Sequence, residues 1–247
     1  DVNNDGLLDF MGSDMAGSSH YKAKIGMGDM DKSGWFLTTS RPPQYMRNAL
    51  YINAGAGRFL EVAQLAGLAN TDWTWSLKFA DLDNDGRVDL FGTNGMAHDQ
   101  TNSDLLAQAA VLATPAEKAT FWQKQPPKRD HNFAYRNLGD LHFSEVATAW
   151  GLDFLGVSFG AALADFDGDG DLDLAVASLE DPVRLYQNQS STGHALAIRL
   201  KGTGRNSHGV GAKVTVETEA GIQVRYHNSC QGYASANDPV LHFGVGE

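Results

Sequence analysis

The chain has 247 residues, enough for one large or two modest domains, and 42% of them are hydrophobic, which is enough for a packed core. Its formal charge of −11 at pH 7 argues against nucleic acid or an anionic membrane surface as a partner. No apolar run approaches the length of about 18 residues that a membrane-spanning helix needs, and Cys230 is the only cysteine, so no disulfide can form within the chain.

The chain begins with an acidic loop that places oxygen-bearing side chains at four regular positions. It reads Asp1-Val-Asn3-Asn-Asp5-Gly6-Leu-Leu-Asp9, with oxygen donors at positions 1, 3, 5 and 9 and glycine at position 6. Calcium takes six to eight oxygen ligands in irregular geometry, and the glycine lets the backbone turn around an ion. The loop therefore predicts a calcium site formed by these four donors. We expect it to be weaker than a site with four carboxylates, because Asn3 carries no charge.

Residues 12–47 interrupt the strand pattern that follows this loop. Within them, residues 27–35 contain Asp29 and Asp31 but no carboxylate at positions 5 and 9 of a loop, so we interpret this stretch as a loop or a lid. Inserts of this kind usually decorate one face of a repeat fold, where binding specificity resides.

A unit that recurs later in the chain begins near residue 48. It contains Tyr51-Ile-Asn53 and Phe59-Leu-Glu61, and it runs on to a second acidic loop. That loop reads Asp81-Leu-Asp83-Asn-Asp85-Gly86-Arg-Val-Asp89. Its flanking residues alternate as in half-buried strands, and its twelfth position is Gly92 instead of the glutamate of an EF-hand. The pattern predicts a calcium site that clamps a β-hairpin, not a pair of helices.

Residues 95–131 form a second insert, which we expect to be partly helical. Thr114-Pro115-Ala-Glu117 is a capping box with proline at the first helical position. Ser103 and Asp104 are candidate caps for another helix that continues through Leu112. Gln125-Pro126-Pro127 ends the helical pattern, because a residue before proline disfavours the α conformation.

The unit then recurs with a third acidic loop. Tyr135-Arg-Asn137 and Phe143-Ser-Glu145 repeat the earlier strands. The loop reads Asp165-Phe-Asp167-Gly-Asp169-Gly170-Asp-Leu-Asp173. The loops begin at residues 1, 81 and 165, so the repeat is 80 to 84 residues long, and each unit offers about four short strands. Tandem four-stranded units predict β-propeller blades, with about three calcium ions bound to their loops.

Tyr186-Gln-Asn188 starts a further unit that is not completed. Asn188 also fits the acceptor pattern for N-glycosylation, since a serine follows two residues later. However, Asn53, Asn137 and Asn188 occupy the same position of the repeat, so we expect all three to serve hairpin turns.

Only two units are complete, which leaves blade edges to be covered. A propeller closes a ring of four to eight blades and so removes open strand edges. The chain also opens inside a metal loop, where a free α-ammonium on Asp1 would oppose cation binding. We therefore expect a fragment or a processed piece, with further blades upstream or with neighbouring copies paired edge to edge.

From about residue 191 the chain changes to alternating segments joined by glycine-rich turns. Strands are predicted within residues 195–200, 211–217, 222–226 and 240–243. We expect a small β-sandwich or barrel packed on the last blade. The chain is thereby divided into a propeller segment, residues 1–190, and a β-domain, residues 191–247.

Both parts resemble known families. The acidic loops, Phe159-Gly160-Ala161 and the Tyr-x-Asn hairpins are similar to FG-GAP/VCBS repeats over roughly residues 1–190. The tail resembles an ASPIC/UnbV domain in Asn206-Ser-His-Gly209-Val-Gly211, Gly232-Tyr233 and Asp238-Pro239. The combination resembles the bacterial relatives of cartilage acidic protein, which implies a calcium-loaded, secreted β-propeller protein with an adhesive or scaffolding role.

The sequence carries no signature of a catalytic site. It contains no Gly-x-Ser-x-Gly, no His-Glu-x-x-His and no phosphate-binding glycine loop. The leading hypothesis is a non-enzymatic, calcium-stabilised protein that is secreted, periplasmic or at the cell surface and binds a protein or glycan ligand. Calcium loops of millimolar affinity would be empty in a cytosol, which favours this location. Two alternatives stay open: a polysaccharide lyase or hydrolase on a calcium-containing propeller, and a self-assembling filament or surface-layer subunit.

Overall fold

The computed structural model describes residues 1–26, 41, 45–190, 192–219 and 221–246, and this part of the chain is built mainly from strands. The strands, in chain order, are β1 (Phe10–Gly12), β2 (Met15–Ala16), β3 (Ala49–Asn53), β4 (Phe59–Glu61), β5 (Asp72–Ala80), β6 (Asp89–Asn94), β7 (Asp130–His131), β8 (Phe133–Asn137), β9 (Phe143–Glu145), β10 (Leu155–Gly156), β11 (Ser158–Ala164), β12 (Asp173–Ser178), β13 (Arg184–Tyr186), β14 (His194–Arg199), β15 (Lys213–Thr218), β16 (Gly221–Tyr226) and β17 (Val240–Gly246). The helices are α1 (His20–Gly26), α2 (Ser103–Ala110) and α3 (Pro115–Gln123). The candidate loop or lid at residues 27–35 lies outside the described residues.

Three antiparallel sheets share the strand pairing of one blade, which confirms the propeller-like all-β fold, and among the described residues the second sheet alone contains all four strands of a blade. Their strand orders are β1-β3-β4, β5-β6-β8-β9 with β2 added beside β5, and β11-β12-β13. The strand after each acidic loop pairs with a Tyr-x-Asn strand in the same register: Phe10 with Tyr51, Leu90 with Tyr135, and Leu174 with Tyr186. A blade therefore starts at the strand before a loop, and not at the Tyr-x-Asn strand where the sequence unit begins.

Strand β6 is buried along its whole length at the centre of the described fold. Its side chains alternate between two hydrophobic clusters, because successive residues of a strand point to opposite faces. Leu90 packs in the cluster shared with the first sheet, which includes Leu50. Phe91 packs in the cluster shared with the third sheet, which includes Leu163 and Val176. The core thus consists of blades stacked face to face.

The helices of the inserts lie at the strand ends opposite the acidic loops. Lys22 of α1 forms ion pairs with Asp72 and Asp130, at 2.6 and 2.8 Å, and so joins the two inserts to β5. The predicted capping box is confirmed at the start of α3. Helix α2 is capped by Asn102, one residue before the predicted Ser103, because the asparagine side chain accepts two backbone N–H groups of the first turn. Among the described helices, none combines the length and apolarity needed to cross a membrane.

The C-terminal part forms two antiparallel strand pairs, β14-β17 and β15-β16, as its alternating segments predict. The sequence predicts packing on the last blade, and in the structure this part contacts that blade and the acidic loops of the first and second blades as well. Three loop carbonyls accept hydrogen bonds from it: Gly6 from Lys213 Nζ (3.3 Å), Asn84 from the Gly246 N–H (3.0 Å) and Gly170 from His242 Nε2 (2.9 Å). The loops lie side by side at one end of the blades, so one small domain reaches them together.

The connection between β16 and β17 contacts β5 of the second blade and β11 of the third. The buried ammonium of Lys78 in β5 donates to the carbonyl of Gln231 and, at 2.9 Å, to Oδ1 of Asn237. In β11, the Leu163 N–H donates to the same Oδ1 at 3.2 Å, and the Leu163 carbonyl accepts the Asp238 N–H at 3.0 Å. This connection therefore fixes the C-terminal strands to the second and third blades.

The asparagines of the Tyr-x-Asn strands hold the turns, as predicted, and two of them also join neighbouring blades. Oδ1 of Asn53, Asn137 and Asn188 accepts the N–H two residues later, at 3.0 Å in each case. The Asn137 amide donates to Val88 of its own loop at 3.0 Å and to Val2 of the first loop at 2.9 Å. Asn188 makes the equivalent pair of bonds, to its own loop and to the second loop.

Asn137→Ala should lower the free energy of unfolding by about 2–4 kcal/mol, because two buried carbonyls lose their donor. Asn53→Ala is the matched control, since Asn53 makes the same turn bond but, within the described part of the chain, its amide donates only to Leu8 of its own loop, at 3.3 Å. We expect a loss of about 1 kcal/mol for the control. Urea unfolding followed by tryptophan fluorescence measures both variants, and equal losses would show that the bond between blades contributes nothing.

Candidate metal centres in the acidic loops

The first aspartate of each loop is fixed inside the loop by backbone N–H groups. In the second loop, Asp81 accepts the N–H groups of Asp85 and Gly86 at 3.1 and 2.8 Å. Asp1 accepts the same two N–H groups of its loop, at positions 5 and 6, and Asp165 accepts those at positions 4 and 6. The turn requires a left-handed residue at position 6, where φ lies between +83° and +99° in the three loops, and this explains the glycine.

The last aspartate of each loop closes the hairpin and also holds the next strand. Asp89 accepts the Leu82 N–H on Oδ2 at 3.0 Å and the Asn137 N–H on Oδ1 at 2.9 Å. Asp9 and Asp173 make the same two bonds, to the second residue of their loop and to the asparagine of the following Tyr-x-Asn strand. A carboxylate oxygen has two lone pairs, so position 9 retains acceptor capacity beyond these bonds.

Two of the loops bring three carboxylate oxygens within 4.8 Å of one another. These groups are Asp81, Asp83 and Asp89 in the second loop, and Asp165, Asp167 and Asp169 in the third. Of the predicted donors in these two loops, Asp85 and Asp173 lie outside the groups. In the described part of the chain the first loop forms no such group, and Asn3 stands there in place of an aspartate. Close-set oxygen donors on a tight turn are the ligands that calcium prefers, so the second and third loops fit this ion.

The residue between tyrosine and asparagine in two Tyr-x-Asn strands reaches the third position of a loop. Arg136 of β8 places Nε 2.5 Å from Asp83 Oδ2 and Nη2 3.3 Å from Asp85 Oδ2. Gln187 donates from Nε2 to Asp167 Oδ2 at 2.5 Å. The sequence reasoning missed these partners, although their shared place in the repeat, one residue before the asparagine, is a usable signal.

Burial and crowding disfavour the charged form of these carboxylates. Burial raises the pKa of Asp89 to about 8 and that of Asp81 to about 7, because the charged group loses its hydration. Burial also raises the pKa of Asp83, and the neighbouring charge of Asp85 adds to the effect. A cation in the loop would stabilise the charged forms and offset this cost.

In the presence of a calcium chelator, the stability of the protein should fall as the pH rises from 5 to 7. In this window the folded Asp81 still binds a proton, since its pKa is about 7, whereas an unfolded aspartate with a pKa of about 4 has lost it. Raising the pH therefore favours unfolding. Asp81→Asn removes this titration and should reduce the pH slope by up to about 1.4 kcal/mol per unit. Urea midpoints across the window measure the slope, and an unchanged slope in the variant would contradict the assignment.

Comparison with known families agrees with the repeats in the structure. The FG-GAP-like repeat family matches residues 1–92 and 121–176, and the ASPIC and UnbV family matches residues 202–247. Cartilage acidic protein 1 of Mus musculus is 26% identical over 233 residues, covering 81% of this chain and 36% of that protein. Cartilage acidic protein 1 of Homo sapiens is 25% identical over 234 residues, covering 81% of this chain and 35% of that protein.

The chain spans about a third of the length of these relatives. The FG-GAP-like repeat match covers more than half of its residues, in the part that forms the blades. The ASPIC and UnbV match covers the strands that rest on the acidic loops. The chain therefore belongs to the family of proteins with FG-GAP-like repeats and carries an ASPIC and UnbV domain at its C-terminal end.

Proposed function

We propose that this chain is a calcium-stabilised, non-enzymatic binding or scaffold protein that acts outside the cytoplasm. The observation that carries the proposal is the pair of three-carboxylate groups in the second and third loops. With the weaker donor set of the first loop, the expected content is about three calcium ions, bound by the donors at positions 1, 3, 5 and 9.

The position of the loops explains how an ion would stabilise the fold. Each loop precedes the strand that pairs with a Tyr-x-Asn strand, and its last aspartate holds that strand through a backbone N–H. The carbonyl groups of the same loops accept hydrogen bonds from the C-terminal strands. An ion that offsets the charge of the carboxylates would therefore stabilise both the blade and the contacts between the loops and the C-terminal domain.

The arrangement supports a structural role for the ions more than a catalytic one. The same loop occurs three times, and its first and last aspartates are committed to backbone N–H groups in each copy. A catalytic ion needs an open coordination position next to the reacting group. Turnover in a polysaccharide-degradation screen that is abolished both by chelation and by a single point mutation would overturn the non-enzymatic proposal.

The ligand of such a protein would be a protein or a glycan at the cell surface or in the extracellular space. Calcium loops of the millimolar class are filled there and empty in a cytosol. The similarity to a protein named after cartilage points in the same direction. The end of the blades that bears α1, α2 and α3 is the better candidate for ligand contact, because the C-terminal strands cover the opposite end. We further propose residues 1–190 as the propeller segment and residues 191–247 as the C-terminal domain.

Isothermal titration calorimetry with calcium, on the chain from which calcium has been removed with a chelator, should show at least two bound ions. At about a hundredfold excess over the dissociation constant, each filled site should add about 2.7 kcal/mol to the free energy of unfolding. Asp83→Ala and Asp167→Ala should each remove one ion, whereas Asn3→Ala removes an uncharged donor and should matter less. Fewer than two ions per chain, or equal losses in all three variants, would contradict the proposal.

A further inference from the structure

The acidic loops share their donor positions but differ in the side chain that contacts them from the neighbouring strand. In the second and third blades, the middle residue of the Tyr-x-Asn strand contacts the loop whose last aspartate holds that strand. This residue is Arg136 at the second loop and Gln187 at the third, whereas Ile52, at the same place in the first blade, is buried in the hydrophobic cluster. A cationic, a neutral polar and an apolar side chain thus occupy one structural position.

The contacts of Arg136 and Gln187 are made to the same atom of their loops. Arg136 Nε lies 2.5 Å from Oδ2 of Asp83, and Gln187 Nε2 lies 2.5 Å from Oδ2 of Asp167, so both reach the carboxylate at position 3. Arg136 extends further, with Nη2 3.3 Å from Asp85 Oδ2 at position 5. The guanidinium therefore engages two of the predicted ion ligands, whereas the amide engages one.

The second and third loops also differ in the net charge of the side chains around them. Asp85 of the second loop also pairs with Arg87, at 3.2 Å, so two guanidinium groups contact this loop. The corresponding position 7 of the third loop is Asp171, which adds a further negative charge. Among the ion pairs of the described residues, none joins a lysine or an arginine to the third loop. A divalent cation meets less repulsion there.

We propose that the residue before the asparagine in the second and third Tyr-x-Asn strands sets the calcium affinity of the loop that it contacts. The proposal rests on the calcium binding proposed above and goes beyond it by ranking the loops. Arg136 weakens the second loop, because its charge repels the ion and its nitrogens compete for the oxygens of Asp83 and Asp85. Gln187 competes for one oxygen without adding charge, so the third loop is the tighter site.

The two residues can be exchanged, because each already occurs at the same position of the fold. Arg136→Gln gives the second loop the neighbour of the third, and Gln187→Arg gives the third loop the neighbour of the second. Titration calorimetry distinguishes the second loop from the third when one of them is disabled, with Asp167→Asn for the first exchange and Asp83→Asn for the reciprocal one, since the weaker first loop is common to all variants. The probe is calcium chloride, added to the full chain after calcium has been removed with a chelator.

Arg136→Gln should tighten calcium binding to the second loop by about tenfold, and Gln187→Arg should weaken binding to the third by a similar factor, since one unit charge beside a divalent ion changes in each case. Both effects should shrink in about 1 M salt, where charges are screened within about 3 Å. Arg129→Gln is the matched control. Arg129 pairs with Asp181 at 3.3 Å, away from the loops, so its loss changes the net charge equally and should leave calcium affinity unchanged.

The outcomes separate this proposal from the one on which it rests. Unchanged affinities in both exchange variants, with at least two ions bound by the parent chain, would overturn the ranking and leave the calcium proposal standing. Equal changes in the exchange variants and in Arg129→Gln would also overturn it, because net charge would then be the cause. A parent chain that binds no calcium would overturn both proposals. If Arg136→Gln fails to fold, the result for Gln187→Arg decides alone.

Discussion

A buried carboxylate shared between two backbone N–H groups is the interaction on which each blade depends. Asp89 is fully buried, and a charged group in that position is costly unless hydrogen bonds replace its lost hydration. Its two bonds reach the Leu82 N–H in its own loop and the Asn137 N–H in the next strand. One side chain therefore joins a hairpin to a third strand, and the same two bonds recur at Asp9 and Asp173.

The same end of the blades also carries the contacts between repeats. The Asn4 amide of the first loop donates to the Gly86 carbonyl of the second at 2.8 Å, and the Asn84 amide of the second donates to Asp171 of the third at 2.6 Å. The loops therefore form a connected row, and the C-terminal strands rest on all of them. Because each loop is in contact with its neighbours, a change of charge in one of them alters the surroundings of the others and of the C-terminal domain. Electrostatics at this end and the packing of the domain are therefore linked.

The features predictable from the sequence are those that depend on neighbours within one turn or one hairpin. The loops, the capping box before α3 and the turns at Asn53, Asn137 and Asn188 all follow from local donors and acceptors. The composition of a blade was harder to predict, because alternation shows that one face of a strand is buried but does not identify the partner strand. The contacts of the C-terminal strands with the first and second loops could not be predicted either, since residues such as Gly6 and Lys213 are distant in sequence and neither signals the contact by its type.

The sequence pattern identifies the candidate ligands of a metal loop but not the charged side chains that contact them from the next strand, and Arg136 shows why. Tyr135 packs in the hydrophobic cluster between the first and second blades, and Asn137 makes the bond that joins those blades. Both positions are therefore constrained by the fold. Arg136 lies between them and, by the alternation of a strand, points to the other face, where its side chain is 41% exposed. In this blade its side chain lies outside the hydrophobic clusters of the described residues, and it is the side chain of the three that contacts the loop carboxylates. The second and third blades can therefore differ in the charge next to their loops while both keep the same strand pairing.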